Sequence, residues 1–108
     1  MSDFRNEKIQ NQIKELAALY IEREAGPAAH ITVARVLGTA DNRNAKIMIT
    51  VLPKEKEQAA YGFIKRNLGD LRKHITKQLK INPIPFLDVA IDEGEKNRQK
   101  IDELLLKS

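Results

Sequence analysis

Hydrophobic positions recur at two different spacings along this chain, and the changes of spacing divide it into elements. Ile9, Ile13, Leu16, Ala17 and Tyr20 fall three and four residues apart, the period of a helix with one buried face. Asp3 and Asn6 are residue types that cap a helix start. Gly26-Pro27 stops the helix: Gly accepts the left-handed conformation that closes a helix, and Pro cannot extend one. His30 to Leu37 is rich in β-branched residues (Ile31, Thr32, Val33, Val36). From Asn44 to Leu52 apolar and polar positions alternate, with Ala45, Ile47, Ile49 and Val51 on one side and Lys46, Met48 and Thr50 on the other. Gly38 to Arg43 supplies turn residues, so the two runs form a hairpin, and Pro53 closes the second strand.

Helical spacing returns over Ala59 to Lys80. Ile64, Leu68, Leu71, Ile75 and Leu79 form one narrow stripe at about 100° per residue. The stripe keeps register through Asn67, Leu68 and Gly69, where a glycine costs about 1 kcal/mol relative to Ala in a helix interior. We therefore expect helix, kink, helix, with Asn67 capping the second half and Gly69 marking a bend or a close contact. Asn82-Pro83-Ile84-Pro85 forces an extended connection. Phe86 to Asp92 alternates as a third strand, with Leu87, Val89 and Ile91 on one face. Gly94 breaks it, and Glu95 to Lys107 reads as a short terminal helix carrying Ile101, Leu104 and Leu105. Three strands alone are marginal, so helices must cover one sheet face. The expected fold is an α+β two-layer sandwich, α-β-β-α-kink-α-β-α, in a single domain over residues 1–108.

The polar side of the long helical run changes this picture from architecture to chemistry. Arg66, Lys73, Lys77 and Lys80 form a second stripe opposite the apolar one, and only Asp70 puts negative charge into it. Gly62 to Lys80 holds six Lys/Arg and one acid, whereas Asp88 to Glu103 holds six acids and three bases. Net charge is +4, so distribution matters more than the total. A basic middle beside an acidic end provides one face for a polyanion and one that turns away from it, and nucleic acid is the partner this suggests. The plainer reading is a pair of solvated helix faces. Arg66 and Arg72 have the fork to hold phosphate bidentately, while Lys73, Lys77 and Lys80 act as point charges. Arg43 and Lys46, near the hairpin, are further candidates. Lys65 sits between the two helix faces and is expected to snorkel.

Other chemistry finds little support. There is no cysteine, hence no disulfide and no thiolate metal site. His30 and His74 have no third partner at ligand spacing, and no cofactor is expected. Asp92-Glu93 and Asp102-Glu103 are expected to be solvated ion pairs with Lys96, Arg98 and Lys100 rather than an acid/base pair. No nucleophile elbow or Walker A motif is present, so a hydrolase or transferase would need a pocket the sequence does not announce. Tyr20 and Phe86 fit core stripes, Tyr61 and Phe63 are expected to pack, and no cluster of exposed rings for base stacking is apparent. No apolar run reaches the ~20 residues of a membrane span. The start, Met1-Ser-Asp-Phe-Arg, lacks a signal-peptide core, so a cytoplasmic location is expected.

The order of these pieces resembles the ribosome-binding factor A family. The likeness is carried by Ile21-Glu-Arg-Glu at the end of the first helix, by Asp41 before Asn44-Ala-Lys-Ile-Met-Ile-Thr-Val-Leu52, and by Asn67-Leu68-Gly69 followed by Arg72-Lys73. It continues in Pro85-Phe-Leu-Asp-Val-Ala-Ile-Asp92 and in the tail Asn97-Arg98-Gln-Lys-Ile101-Asp102-Glu103-Leu104-Leu105. Position 67 carries Asn where the family most often has Ala. The absence of a Gly-x-x-Gly loop is usual for the family and separates it from ordinary KH domains, which clamp single strands there. Some members carry a disordered extension, and the functions of such an extension are not expected of residues 1–108. The resemblance implies a type II KH-like fold and a non-catalytic assembly factor. It also implies binding to free and immature 30S subunits through 16S rRNA and a part in late 16S rRNA processing. The family matters most in the cold, works near a maturation GTPase and competes with translation initiation factors. Nothing in the chain demands a dimer, so a monomer is expected. The alternative is a protein-interaction module using a sheet edge or the acidic terminal helix.

Overall fold

The structure, a computed structural model, describes residues 2–27, 29–79 and 84–94. The expected terminal helix Glu95–Lys107 and Lys80 lie outside the described residues. The elements are α1 (Ser2–Ala25), β1 (His30–Gly38), β2 (Asn44–Leu52), α2 (Glu57–Arg66), α3 (Leu68–Leu79) and β3 (Phe86–Ile91), with a 3-10 turn at Lys54–Lys56 ahead of α2. The α+β order expected from the pattern is present from α1 through β3.

Helix α1 starts at Ser2, so Asp3 and Asn6 lie inside it and are not its caps. It ends as expected: Gly26 takes φ +74°, the left-handed position after a helix that a Cβ makes costly. Its buried stripe is Ile9, Ile13, Ala17, Tyr20 and Ile21, with Leu16 at the margin.

Strands β1 and β2 are antiparallel, and β2 and β3 are parallel, which places β2 at the centre of a β1-β2-β3 sheet. A parallel pair needs a long crossover, and α2 and α3 supply it. The hairpin turn is built from side chains as well as backbone. Asp41 Oδ1 accepts from the Thr39 hydroxyl at 2.6 Å and from the Arg43 N–H at 3.1 Å, and Asn42 takes φ +59°, a conformation Asn tolerates. Those two hydrogen bonds, the hydroxyl's first, hold the Asp41 carboxyl below its ordinary range.

A bulge between Val33 and Arg35 explains why β1 lacks clean alternation. Val33 faces Ile49 and Val36 faces Ile47, so both valines reach the core although three positions apart. The side of β2 bearing Ala45, Ile47, Ile49 and Val51 is buried against the helices, whose inward residues include Ile13, Ile64, Leu71 and Ile75. Removing one of these side chains to Ala would cost roughly 2–5 kcal/mol in lost burial and cavity. The other side of the sheet carries Arg35, Leu37, Lys46, Met48 and Thr50, turned away from the core formed with α1, α2 and α3.

Two expectations fail on β3. Phe86 is 69% exposed rather than core: with Leu87, Val89 and Ile91 turned toward the helices, its own parity points it outward. Asp92 is not solvated. It is buried, its N–H continues the ladder to the Ile49 carbonyl at 2.8 Å, and its carboxylate takes a two-pronged pair from Arg35 at 3.1 and 3.3 Å. Arg35 stands on β1 with β2 between, so the pair ties together the two outer strands of the sheet.

Candidate nucleic-acid interface

The break between α2 and α3 is one residue wide and is made by Asn67. Its φ −104° and ψ 9° depart from helical values, and its N–H is shared between the carbonyls of Phe63 and Ile64 at 3.2 and 3.0 Å. Its side chain does not cap the second half as expected. Nδ2 donates to the Phe63 carbonyl at 2.8 Å, satisfying an acceptor at the end of α2, while the Asn67 carbonyl takes the Leu71 N–H at 2.9 Å and starts α3. Leu68 and Gly69 are already helical. A Cβ at Gly69 would meet nothing within 4 Å among the described residues, so none of them requires glycine there.

Beyond the break, Leu71 and Ile75 are buried and Lys73 and Lys77 point outward. Arg66, in the last turn of α2, is also exposed, its guanidinium lying near Gly62. Among the described residues, no ion pair or hydrogen bond engages the side chains of Arg66, Lys73 or Lys77. Asp70, the one acid of the stripe, is held: Oδ2 accepts from the Tyr20 hydroxyl of α1 at 2.6 Å. The Tyr20 ring is buried, lies 5.8 Å from the His74 ring and has the Arg23 guanidinium 5.8 Å from its centroid. Burial first, and then the bond to Asp70, push the Tyr20 phenol up to about 12.

This junction brings together cations the sequence keeps fifty residues apart. A depression of about 710 Å³ is lined by Tyr20, Arg23, Gly69, His74, Lys73 and Lys77, among others. Arg23 was not among the expected site residues. The only signal for it was a basic residue in the last turn of α1, and it lies over the Tyr20 ring, which is bonded to Asp70 of α3.

The structure gives Arg72 a different role from its neighbours. Its Nη2 donates to the Ile84 carbonyl at 2.8 Å and Nε to the Pro85 carbonyl at 3.4 Å, and its guanidinium lies 5.2 Å from the centre of the Phe86 ring. Arg43 and Lys46 sit at the hairpin end of the sheet, where the Phe86 N–H donates to the Arg43 carbonyl at 2.8 Å. Arg72 and Phe86 thus connect α3 to the hairpin. Lys65 does not snorkel: Nζ donates to Asp88 Oδ1 at 2.7 Å. That contact holds the Asp88 carboxyl below its ordinary range and raises the Lys65 amine. Half-exposed at both ends, the pair adds little to stability.

Comparison with known proteins places this arrangement. The family profile described as "Ribosome-binding factor A" matches residues 5–105. The chain belongs to the ribosome-binding factor A family. Among curated members, that of Natranaerobius thermophilus is 27% identical over 108 residues, spanning 97% of this chain and 82% of its own. The member from Thermodesulfovibrio yellowstonii is 32% identical over 93 residues, 85% of this chain and 79% of its own. The crystal structure of ribosome-binding factor A from Thermus thermophilus superposes with a TM-score of 0.68 at 18% identity, covering 78% of this chain and 92% of that one. A homology model of the Thermus thermophilus factor, fitted into a cryo-EM map of its complex with the 30S subunit, gives 0.66 at 18% identity, over 75% and 88% of the two chains. The KH-like fold implied by the family resemblance is therefore the fold of this member of the family.

Proposed function

We propose that this protein is a small-subunit assembly factor that docks on immature 30S particles through rRNA phosphates. The observation that carries the reading is the outer face of α3. Among the described residues Lys73 and Lys77 are exposed and unpaired there, Arg66 and Arg23 stand at its flanks, Arg23 in an exposed pair with Glu24, and Asp70, the one acid of α3, is bonded to Tyr20. Such a face supplies salt-dependent affinity with little sequence discrimination. Membership in a family named for ribosome binding, and the 30S complex formed by the Thermus thermophilus relative, favour ribosomal RNA among polyanions.

No chemistry on RNA is part of this proposal. A binding protein influences maturation by holding one rRNA arrangement more tightly than another, since a ligand shifts an equilibrium only by its differential affinity. Support for late 16S rRNA processing, for work in the cytoplasm as a monomer beside a maturation GTPase, and for a role in the cold comes from the family resemblance and belongs to the same proposal.

Co-sedimentation of the protein with purified small and large subunits across a salt series tests it. Retention on the small subunit alone, lost steeply as salt rises, is the expected result. Lys73→Glu with Lys77→Glu should abolish retention while the circular dichroism spectrum stays unchanged. Full retention by that folded double variant would overturn the assignment of the face. Binding that survives nuclease treatment would replace RNA by a protein partner.

A further inference from the structure

Phe86 is the most exposed large apolar side chain among the described residues, yet it is not loose. Its backbone is tied to the hairpin through the Arg43 carbonyl, and one side of its ring is occupied by the Arg72 guanidinium. That guanidinium is fixed in turn by the Ile84 and Pro85 carbonyls. A cation above an aromatic face attracts it electrostatically, and a tethered cation orients the ring without free rotation. Exposed apolar surface normally costs free energy, and a ring prepared this way has its ordering cost already met before anything binds.

We propose that Phe86 is a stacking platform for one unpaired RNA base, with Arg72 as its positioning residue and Arg43 and Lys46 as the cations that take the flanking phosphates. The inference deepens the RNA-binding reading above and rests on it. Phe86 borders a depression of about 420 Å³ at the hairpin end of the sheet, shared with Leu37, Thr39, Asn44, Lys46 and Asp88. Leu37 is 48% exposed and adds apolar surface. Lys46 stands opposite Asp88 in the β2–β3 ladder, and Arg43, whose carbonyl takes the Phe86 N–H, is in the adjoining turn with its guanidinium 3.8 Å from Asp41. Asp88 is the carboxylate lining the depression, and Lys65 holds it.

An open ring face beside cations matches a nucleobase and its phosphates, since every base has a π-face and stacking tolerates any sequence. A duplex offers no such face along its length, so the ligand is a single-stranded or bulged segment. Arg72 cannot serve equally as a phosphate clamp, because its fork is spent on two carbonyls.

The chain has no tryptophan, so Phe86→Trp installs a unique fluorophore at the site. Titration with eight-nucleotide single-stranded RNAs, and with a duplex of the same length, should quench that fluorescence for the single strands only. Phe86→Leu keeps the apolar character of an exposed position, so the fold is retained. It should weaken single-strand affinity about tenfold or more. Arg72→Lys keeps the charge but loses the fork. It should weaken binding several-fold without changing how log K falls with log salt, whereas a reduced slope would make Arg72 a phosphate contact and overturn its positioning role. Single-strand binding by Phe86→Leu equal to that of the parent would overturn the platform. So would failure of the parent to bind single strands at low salt while it still co-sediments with the small subunit, a result that leaves the assembly-factor reading standing. Loss of both single-strand and subunit binding by the parent would overturn both.

Discussion

At the scale of single residues, Tyr20 does more than fill the core. Its hydroxyl fixes Asp70 and thereby sets α1 against α3, at the cost of holding a phenol where ionisation is disfavoured. The direction of the resulting pH dependence follows from the two states. Below about pH 10 the phenol is protonated folded and unfolded, and its contribution is complete. Between 10 and about 12 the unfolded chain loses the proton while the folded one keeps it, so stability falls as pH rises. Two units correspond to on the order of 2–3 kcal/mol. Tyr20→Phe removes that step. Because lysines titrate in the same range, the measurement is the difference in unfolding free energy between parent and variant. It should favour the parent by about 0.5–1.5 kcal/mol at pH 8 and reverse in sign by pH 12. A constant difference across the range would mean that the Tyr20–Asp70 contact does not govern the ionisation.

The elements show what could be read from the chain and what could not. Strand β2 was legible to the residue because its register is dictated by strict alternation against a one-sided core. The end of α1 was legible because Gly26-Pro27 is a local chemical instruction. Strand β1 was blurred by its bulge, which puts Val33 and Val36 on one face and leaves no clean period to detect. Phe86 was misread by its composition, although the alternation of Leu87, Val89 and Ile91 already pointed it outward. The cationic face was half visible: Lys73 and Lys77 follow from helical geometry, but the partnering of Asp70, the reassignment of Arg72 and the arrival of Arg23 are contacts between elements distant in sequence. The Arg35–Asp92 pair was invisible for the same reason, and its energetics belong to the sheet. Removing Arg35 leaves a buried carboxylate without that cation, which costs more than the half-exposed arginine's own contacts. Arg35→Ala should destabilise by about 1–3 kcal/mol, and the double variant with Asp92→Ala by less than the sum of the two singles. Chemical denaturation of the four proteins of that cycle measures the coupling, and strict additivity would remove the cross-sheet tie.

For the whole molecule the question is how a chain with a net charge of only +4 would engage the polyanion proposed above. Counterion release answers it locally, because what counts is the number of phosphates neutralised at the contact and not the net charge. Among the described residues Arg66 of α2 and Lys73 and Lys77 of α3 pair with no acid, whereas Arg35 of β1 and Lys65 of α2 are held by Asp92 and Asp88, and Arg72 of α3 by the Ile84 and Pro85 carbonyls. The proposed function therefore divides the cations into those spent on the fold (Arg35, Lys65, Arg72) and those assigned to a partner (Arg66, Lys73, Lys77). Each of the second group should appear in the salt dependence of small-subunit binding. Lys73→Ala and Lys77→Ala should each make the slope of log K against log salt shallower by about 0.7–0.9, and together by about twice that, with helix content unchanged. Arg72→Ala should instead leave the slope near its parent value and lower affinity through the Phe86 ring it orients. Equal slopes for all three variants would dissolve that division and return the stripe to an ordinary solvated helix face.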